Sequence, residues 1–206
     1  MQIVRQKLFV PGGNYSRCSG IIAGEDDKEP MKSDEQLMQE FQNGSTKAFE
    51  ELFDRFRNSI HGFFRRRLNH AARAEELAQE TFLIILRGVE RYEVRAKFKT
   101  YIFGIAIKQL WSERRRQLRE TKMSAEPVEE GSEKDPATSL WIRDALAQMD
   151  SERREVLMLR EYEQLSYEDI SEILSIPLNT VRSRLSRART ELRALLDEQY
   201  VRKVSL

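Results

Sequence analysis

The chain has 206 residues, 40% of them apolar and 33% charged, with a formal net charge of +1. That size accommodates one or two small cores, and the near-neutral balance excludes a uniformly basic nucleic-acid coat, so any DNA affinity must come from local segregation of charge. A single cysteine, Cys18, excludes an intramolecular disulfide framework, and no run approaches 18 consecutive apolar residues, so the chain reads as cytoplasmic and without membrane insertion.

Residues 1–32 mix Gly, Pro, Ser and charge without a period, and Pro11, Gly12, Gly13 and Asn14 interrupt any signal-like apolar segment, so they read as a disordered extension. Ser33 before Asp34 and Glu35 opens a helix with Leu37, Met38 and Phe41 on its apolar face, ending near Asn43-Gly44. Ser45 caps a second helix, in which Phe49, Leu52, Phe53, Phe56, Ile60, Phe63 and Phe64 recur at three and four residues, the spacing that stacks side chains on one face. After a break at Asn69-His70, a third helix from about Ala72 to Arg87 carries Leu77, Thr81, Ile84 and Ile85 along one side and Phe82, Leu86 and Val89 along another. In so small a domain the second stripe is either sandwiched between neighbours or offered to a partner. A polar connection from Arg91 to Lys97 leads to a fourth helix, Phe98 to about Arg119, with core positions Tyr101, Ile102, Ile105, Ala106 and Leu110 and a basic end at Arg114, Arg115, Arg116 and Arg119.

Six acidic and two basic residues lie between Glu120 and Asp135, together with Pro127 and Gly131, so residues 120–136 read as a flexible acidic linker. Helicity resumes beyond Pro136 with Leu140, Trp141, Ala145, Leu146 and Met149, and restarts at Asp150-Ser151 with Val156, Leu157 and Leu159. No β-type alternation occurs. The expected fold class is all-α: two small helical domains, 33–119 and 137–199, joined by the acidic linker and followed by a tail, 200–206.

Within the second domain, Ser166 followed by Asp169 resembles a capping box opening a short helix through Ile170, Ile173 and Leu174, and Ser175-Ile176-Pro177 ends it. Pro177 suits the start of the next helix, so the segment from Ser166 to about Arg189 reads as a helix-turn-helix. At 100° per residue, Val181, Leu185, Ala188 and Leu192 fall on one buried stripe. Asn179, Ser183, Ser186 and Arg187 then face outward, with Arg182 and Arg189 on one flank and Thr180 and Arg184 on the other. Asn and Arg form bidentate bonds to base edges, short serines permit close approach, and flanking arginines suit phosphates.

Ala74-Glu75-Glu76-Leu77-Ala78-Gln79-Glu80-Thr81-Phe82, then Phe98-Lys99-Thr100-Tyr101-Ile102-Phe103-Gly104-Ile105-Ala106, then Leu165-Ser166-Tyr167-Glu168-Asp169-Ile170 and Thr180-Val181-Arg182-Ser183-Arg184-Leu185-Ser186-Arg187-Ala188-Arg189 stand in this order. Together these stretches resemble bacterial sigma factors of the extracytoplasmic-function type, over residues 33–199. The resemblance implies that residues 33–119 are region 2 and 137–199 region 4. Gln79, Glu80, Phe82, Leu83, Leu86 and Val89 would then dock on core RNA polymerase. Lys97, Lys99, Tyr101, Lys108, Trp111, Arg114, Arg115 and Arg116, with the loop from Arg95, would melt and hold the promoter -10 element. The helix-turn-helix would read the -35 element, the linker would thread the polymerase, and an anti-sigma factor is a third candidate partner. Tyr101 stands where the family usually has Trp, and Lys108 where Asn is common, which leaves the -10 preference open.

Two other readings compete. A dimeric helix-turn-helix regulator would need a dimerisation surface and leaves residues 45–116 without a role. An enzyme finds little support: His61 and His70 are nine apart, no Glu-x-x-His occurs, and Glu75, Glu76 and Glu80 read as a solvated face or polymerase contacts rather than a metal site. No catalytic residue, metal or cofactor is expected. The absence of periodicity before Ser33 predicts that a variant starting at Met31 retains promoter-specific transcription in a reconstituted assay.

Overall fold

The computed structural model describes residues 32–93, 97–123 and 140–204, and the side chains of 121–123, 140–141 and 199–204 lie outside that description. Residues 1–31 of the expected N-terminal extension, Arg95, the linker beyond Met123 and the side chain of Trp141 therefore fall outside the described residues. Eight α-helices are present among the described residues: α1 Asp34–Gln42, α2 Thr46–Arg65, α3 Ala71–Arg87, α4 Phe98–Met123, α5 Leu140–Gln148, α6 Ser151–Glu161, α7 Tyr167–Leu174 and α8 Leu178–Val204. They form a first region, α1–α4, and a second, α5–α8. No helix among the described residues is long and apolar enough to cross a membrane.

Local chemistry sets the helix starts. Gly44 adopts φ +97 in the turn after α1, a conformation that costs glycine nothing, and the Ser45 side chain accepts a hydrogen bond from the backbone N–H of Ala48. Asp150 caps α6 in the same way through Arg153. α2 then buries Phe49, Leu52, Phe56, Ile60, Phe63 and Phe64. Phe56 meets Phe98 edge-on at 5.2 Å between ring centroids, and Phe63 meets Phe103 at 5.8 Å, so aromatic contacts hold α4 against α2.

α3 buries Ala74, Leu77, Ala78, Thr81, Phe82 and Ile85, which form one broad stripe rather than the two expected. Of the alternatives for the second stripe, the sandwiched one holds for Phe82: it is only 3% exposed and packs edge-on to Phe53, while Leu86 and Val89 lie partly buried against the same cluster. Ile84, expected in the core, is instead 40% exposed. Seven residues after Leu77 it is rotated about 20° further out, just beyond the edge of the arc that the neighbours of α3 cover.

α4 buries more than its expected stripe, adding Phe103 and Ile107, because it is covered by α1, α2 and α3 and also by α7 of the second region. It also runs on through Glu120 to Met123, where the linker was expected to begin, with Arg116 paired to Glu120 at 2.9 Å one turn along. At the other end of the chain, α8 extends to Val204 where a tail from residue 200 was expected. Buried apolar residues of both regions, all but Ala145 and Met158, belong to one contiguous cluster, so the two regions rest on one another along α4 and α7.

Glu113 ties α4 to α3. Its carboxylate is buried and accepts hydrogen bonds from Arg116, Gln117 and Arg73, the last on α3. The Arg116 hydrogen bond is the main influence on the carboxyl; burial pushes the other way, and with Arg73 added the group is held down at about 2. A carboxyl depressed in the folded state stabilises the fold above its unfolded pKa and loses that contribution as pH falls toward the folded one. Denaturation midpoints measured from pH 6 downward should therefore fall between about pH 4 and pH 2, and Glu113→Gln should flatten that limb while lowering the midpoint at pH 6.

Candidate nucleic-acid interface

The helix-turn-helix is built by reciprocal hydrogen bonds at its first turn. The Ser166 hydroxyl oxygen accepts from the backbone N–H of Asp169 at 3.0 Å, and Asp169 Oδ2 accepts from the backbone N–H of Ser166 at 3.0 Å and from its hydroxyl at 2.6 Å. This is a complete capping box with Asp in the Glu position. α7 ends at Ser175, whose backbone is left-handed at φ 53. The Ser171 hydroxyl donates to the carbonyl of Ile176 at 2.6 Å, and the backbone N–H of Ile176 donates back to Ser171 at 3.1 Å, which closes the turn. The Pro177 carbonyl then accepts from Thr180 and Val181 at 2.8 and 3.1 Å. Pro177 therefore sits at the cap, one position before the first helical residue expected for it.

Along α8, Val181, Leu185 and Ala188 are buried and Leu192 is half-buried against the core, as the wheel requires. Asn179, Ser183, Ser186 and Arg187 are exposed, as are Arg182 and Arg189, while Thr180 and Arg184 are half-buried. The flanking arginines are engaged within the chain: Arg189 with Glu161 at 2.8 Å, Arg184 with Glu152, and Arg182 with the Asn179 side-chain oxygen at 3.3 Å. Among the described residues no carboxylate pairs with Arg187. The centre of the outward face thus carries a guanidinium with its donors open, bordered by two guanidiniums with carboxylate partners, Arg184 and Arg189, and by Arg182 on a neutral amide oxygen.

The residues expected to serve the -10 element divide into four sets. Lys108 and Arg115 are exposed. Tyr101 and Trp111 are half-buried against the core, Tyr101 lying 5.2 Å from Tyr92 between ring centroids. Arg116 is bound to Glu113 and Glu120. Lys97, Lys99 and Arg114 point to the second region: Lys97 Nζ lies 3.2 Å from Asp169 Oδ1, Lys99 Nζ donates to the carbonyl of Gln164 at 3.5 Å, and Arg114 donates to Glu155 at 3.3 Å. Thr100, between the two lysines, donates to Asp169 at 2.9 Å.

Sequence reasoning missed the residues that complete this seam. Arg66 and Arg67, just past α2, reach Glu163 at 3.0 and 2.9 Å, and Arg67 also reaches Glu155 at 2.8 Å. These partners are about ninety residues apart in the chain, so no local pattern announces them. Of the residues expected to meet the polymerase, Phe82 is buried; Gln79 and Leu83 are half-buried and Glu80 is exposed. Glu80 lies 3.5 Å from Arg73, and Glu76 holds the same arginine at 2.8 Å. The exposed apolar side chain on that surface is Ile84.

Comparison with known proteins adds independent information. Residues 52–120 match the family description Sigma-70 region 2, and residues 139–192 match Sigma-70, region 4. The chain is 33% identical to RNA polymerase sigma factor CarQ of Myxococcus xanthus, over 78% of this chain and 96% of that protein. It is 30% identical to ECF RNA polymerase sigma-E factor of Haemophilus influenzae, over 76% and 92% of the two chains. In three dimensions it is similar to the sigma factor RpoE of Bartonella quintana, solved in complex with the anti-sigma factor NepR, with a TM-score of 0.62 and 25% identity over 74% of this chain and 98% of that one. The order of the two regions, the helix-turn-helix in the second and these relatives agree: the chain belongs to the sigma-70 family, within its extracytoplasmic-function type, and is an alternative sigma factor acting in transcription initiation.

Proposed function

We propose that this sigma factor binds core RNA polymerase and directs it to promoters by reading the -35 element with α8 and by melting and holding the -10 element with α4 and the segment before it. The observation that carries the reading is the outward face of α8, where Asn179, Ser183, Ser186 and Arg187 are exposed. Bidentate donors flanked by short side chains suit base edges in the major groove. Arg182, Arg184 and Arg189 would hold phosphates, exchanging their internal partners for them. On α4, exposed Lys108 and Arg115 supply cations, and half-buried Tyr101 and Trp111 supply rings on which an extruded base can stack.

The surface for the polymerase is the side of α3 carrying Gln79, Glu80, Leu83 and exposed Ile84, where an apolar centre sits among charges. Phe82, Leu86 and Val89 support it from beneath. An anti-sigma factor is a further partner class, supported by the complex in which the Bartonella relative was solved. With a net charge of +1 the free chain has little general attraction for DNA, so specific promoter binding should depend on the polymerase holding both readers at promoter spacing.

Two experiments test these roles. Arg187→Ala should cost about 1–3 kcal/mol on cognate -35 DNA and relax the preference there, whereas Arg189→Ala should weaken binding evenly across sequences. Equal losses on cognate and scrambled duplexes for Arg187→Ala would overturn the assignment. The double substitution Glu80→Lys/Ile84→Lys should weaken association with core polymerase by roughly tenfold or more, a change of about 1.4 kcal/mol, and abolish promoter opening scored by permanganate reactivity. Because both side chains are at the surface, thermal stability should change by no more than about 0.5 kcal/mol.

A further inference from the structure

The seam between the regions is charged, closely fitted and incompletely satisfied. The side chains of Arg67 and Glu163 are each 1% exposed and that of Glu155 is 8% exposed. Three guanidiniums, of Arg66, Arg67 and Arg114, face the two carboxylates of Glu155 and Glu163, so one positive charge is left uncompensated by these partners. Arg66 Nε and Arg67 Nη2 are buried without a hydrogen-bond partner, although each could bond to water if the seam opened. Burying ions costs several kcal/mol each, and an ion cluster that lacks part of its hydrogen bonding recovers only part of that cost. Such a seam closes with specificity and opens at modest cost, unlike a wholly apolar one.

What the seam covers gives it a consequence. Lys97, Lys99 and Arg114 are cations of the -10 reader, and all three are turned to partners in the second region. Thr100, in the same stretch, is 3% exposed beneath Asp169. A promoter strand lying along the start of α4 would have to displace Asp169 and Gln164 from these side chains. The exposed face of α8 takes no part in these contacts.

We propose that this ion-pair clasp is an autoinhibitory contact: in the free chain the second region engages Lys97, Lys99 and Arg114 and covers Thr100 at the start of the -10 reader, and the clasp of Arg66, Arg67 and Arg114 with Glu155 and Glu163 must open before single-stranded DNA can be held along that stretch. The inference rests on the assignment of Lys97, Lys99 and Arg114 to -10 DNA. If the open form is a minor state of about 10% or less, opening it fully raises apparent affinity for a strand by about tenfold or more.

The test uses the full-length chain with Cys18→Ser, dye-labelled through Asp54→Cys on α2 and Gln148→Cys on α5, and a fluorescent random-sequence single-stranded oligodeoxynucleotide pool. Glu155→Gln/Glu163→Gln should lengthen the dye separation and tighten binding by about tenfold. Glu168→Gln/Glu172→Gln removes the same charge from exposed positions of α7 and should change neither. Glu163→Arg should also open the chain, and Arg66→Glu/Glu163→Arg should restore the closed separation and weak binding, which a misfolded variant would not do. No lengthening, an equal gain for the control pair, or opening without a gain in binding would each overturn the proposal. The assignment of the cations is judged separately by adding Lys97→Ala/Lys99→Ala to the open variant. Loss of the gain supports that assignment, and a gain that survives refutes it for these lysines while the clasp still occludes DNA.

Discussion

One carboxylate, that of Asp169, holds the two regions in register. Its Oδ2 closes the capping box on Ser166 and so starts the first helix of the helix-turn-helix, while its Oδ1 accepts from Thr100 and Lys97 at the head of α4. Burial by itself would push this carboxyl up, but the hydrogen bonds from Ser166, Thr100 and Lys97 outweigh it and hold it at about 2. The side chain is therefore ionised throughout the physiological range, and an ionised acceptor makes the stronger bonds. The first helix of the helix-turn-helix is thus anchored on the head of α4, through a group that stays ionised.

Around that point the molecule joins two kinds of packing with different energetics. Inside each region the helices meet through aromatic and aliphatic side chains, each fully buried one contributing on the order of 2 kcal/mol. At the seam, buried ions are added to the contiguous apolar cluster. For Glu155, burial opposes ionisation and the charges of Arg67 and then Arg114 reverse that, keeping its carboxyl below the ordinary range. For Arg114, burial dominates and lowers its pKa despite Glu155. Burial works against the charge on both partners of this pair, which marks it as expensive to bury. The junction thus joins a continuous apolar cluster to buried ions whose desolvation offsets part of what their pairing contributes.

How much of this was legible depends on the range of the interaction. Caps and periodic stripes are local, and Ser45, Asp150, the Ser166–Asp169 box and the Val181–Leu185–Ala188 stripe all read directly from the chain. α3 was misread because apolar residues exceed the buried positions: neighbours on both sides select Phe82 and leave Ile84 outside, and composition alone does not rank the two. Phe103 and Ile107 were overlooked because their burial comes from α4 being covered on several sides, including by another region. The arginine run at the end of α4 reads as one basic block, yet a helix turns 100° per residue. It sends Arg114 to Glu155, leaves Arg115 in solvent and returns Arg116 to Glu113.

The same directional sorting bears on how a nearly neutral chain recognises a polyanion. On α8 Arg189 and Arg184 spend their charge on Glu161 and Glu152, and such pairs near the surface are worth little. Replacing a carboxylate by a phosphate is then nearly even in energy, so these side chains add register with little general affinity. Arg187 has no such competitor among the described residues, and in the role proposed for it its guanidinium would meet a base edge without first surrendering a partner. Neutral overall charge and internal pairing therefore act together: they suppress the sequence-independent attraction that would spread the chain over any duplex. On the proposed reading, what remains is discrimination at the centre of the helix, and the bulk of the binding energy would be supplied by whatever holds both regions beside the promoter.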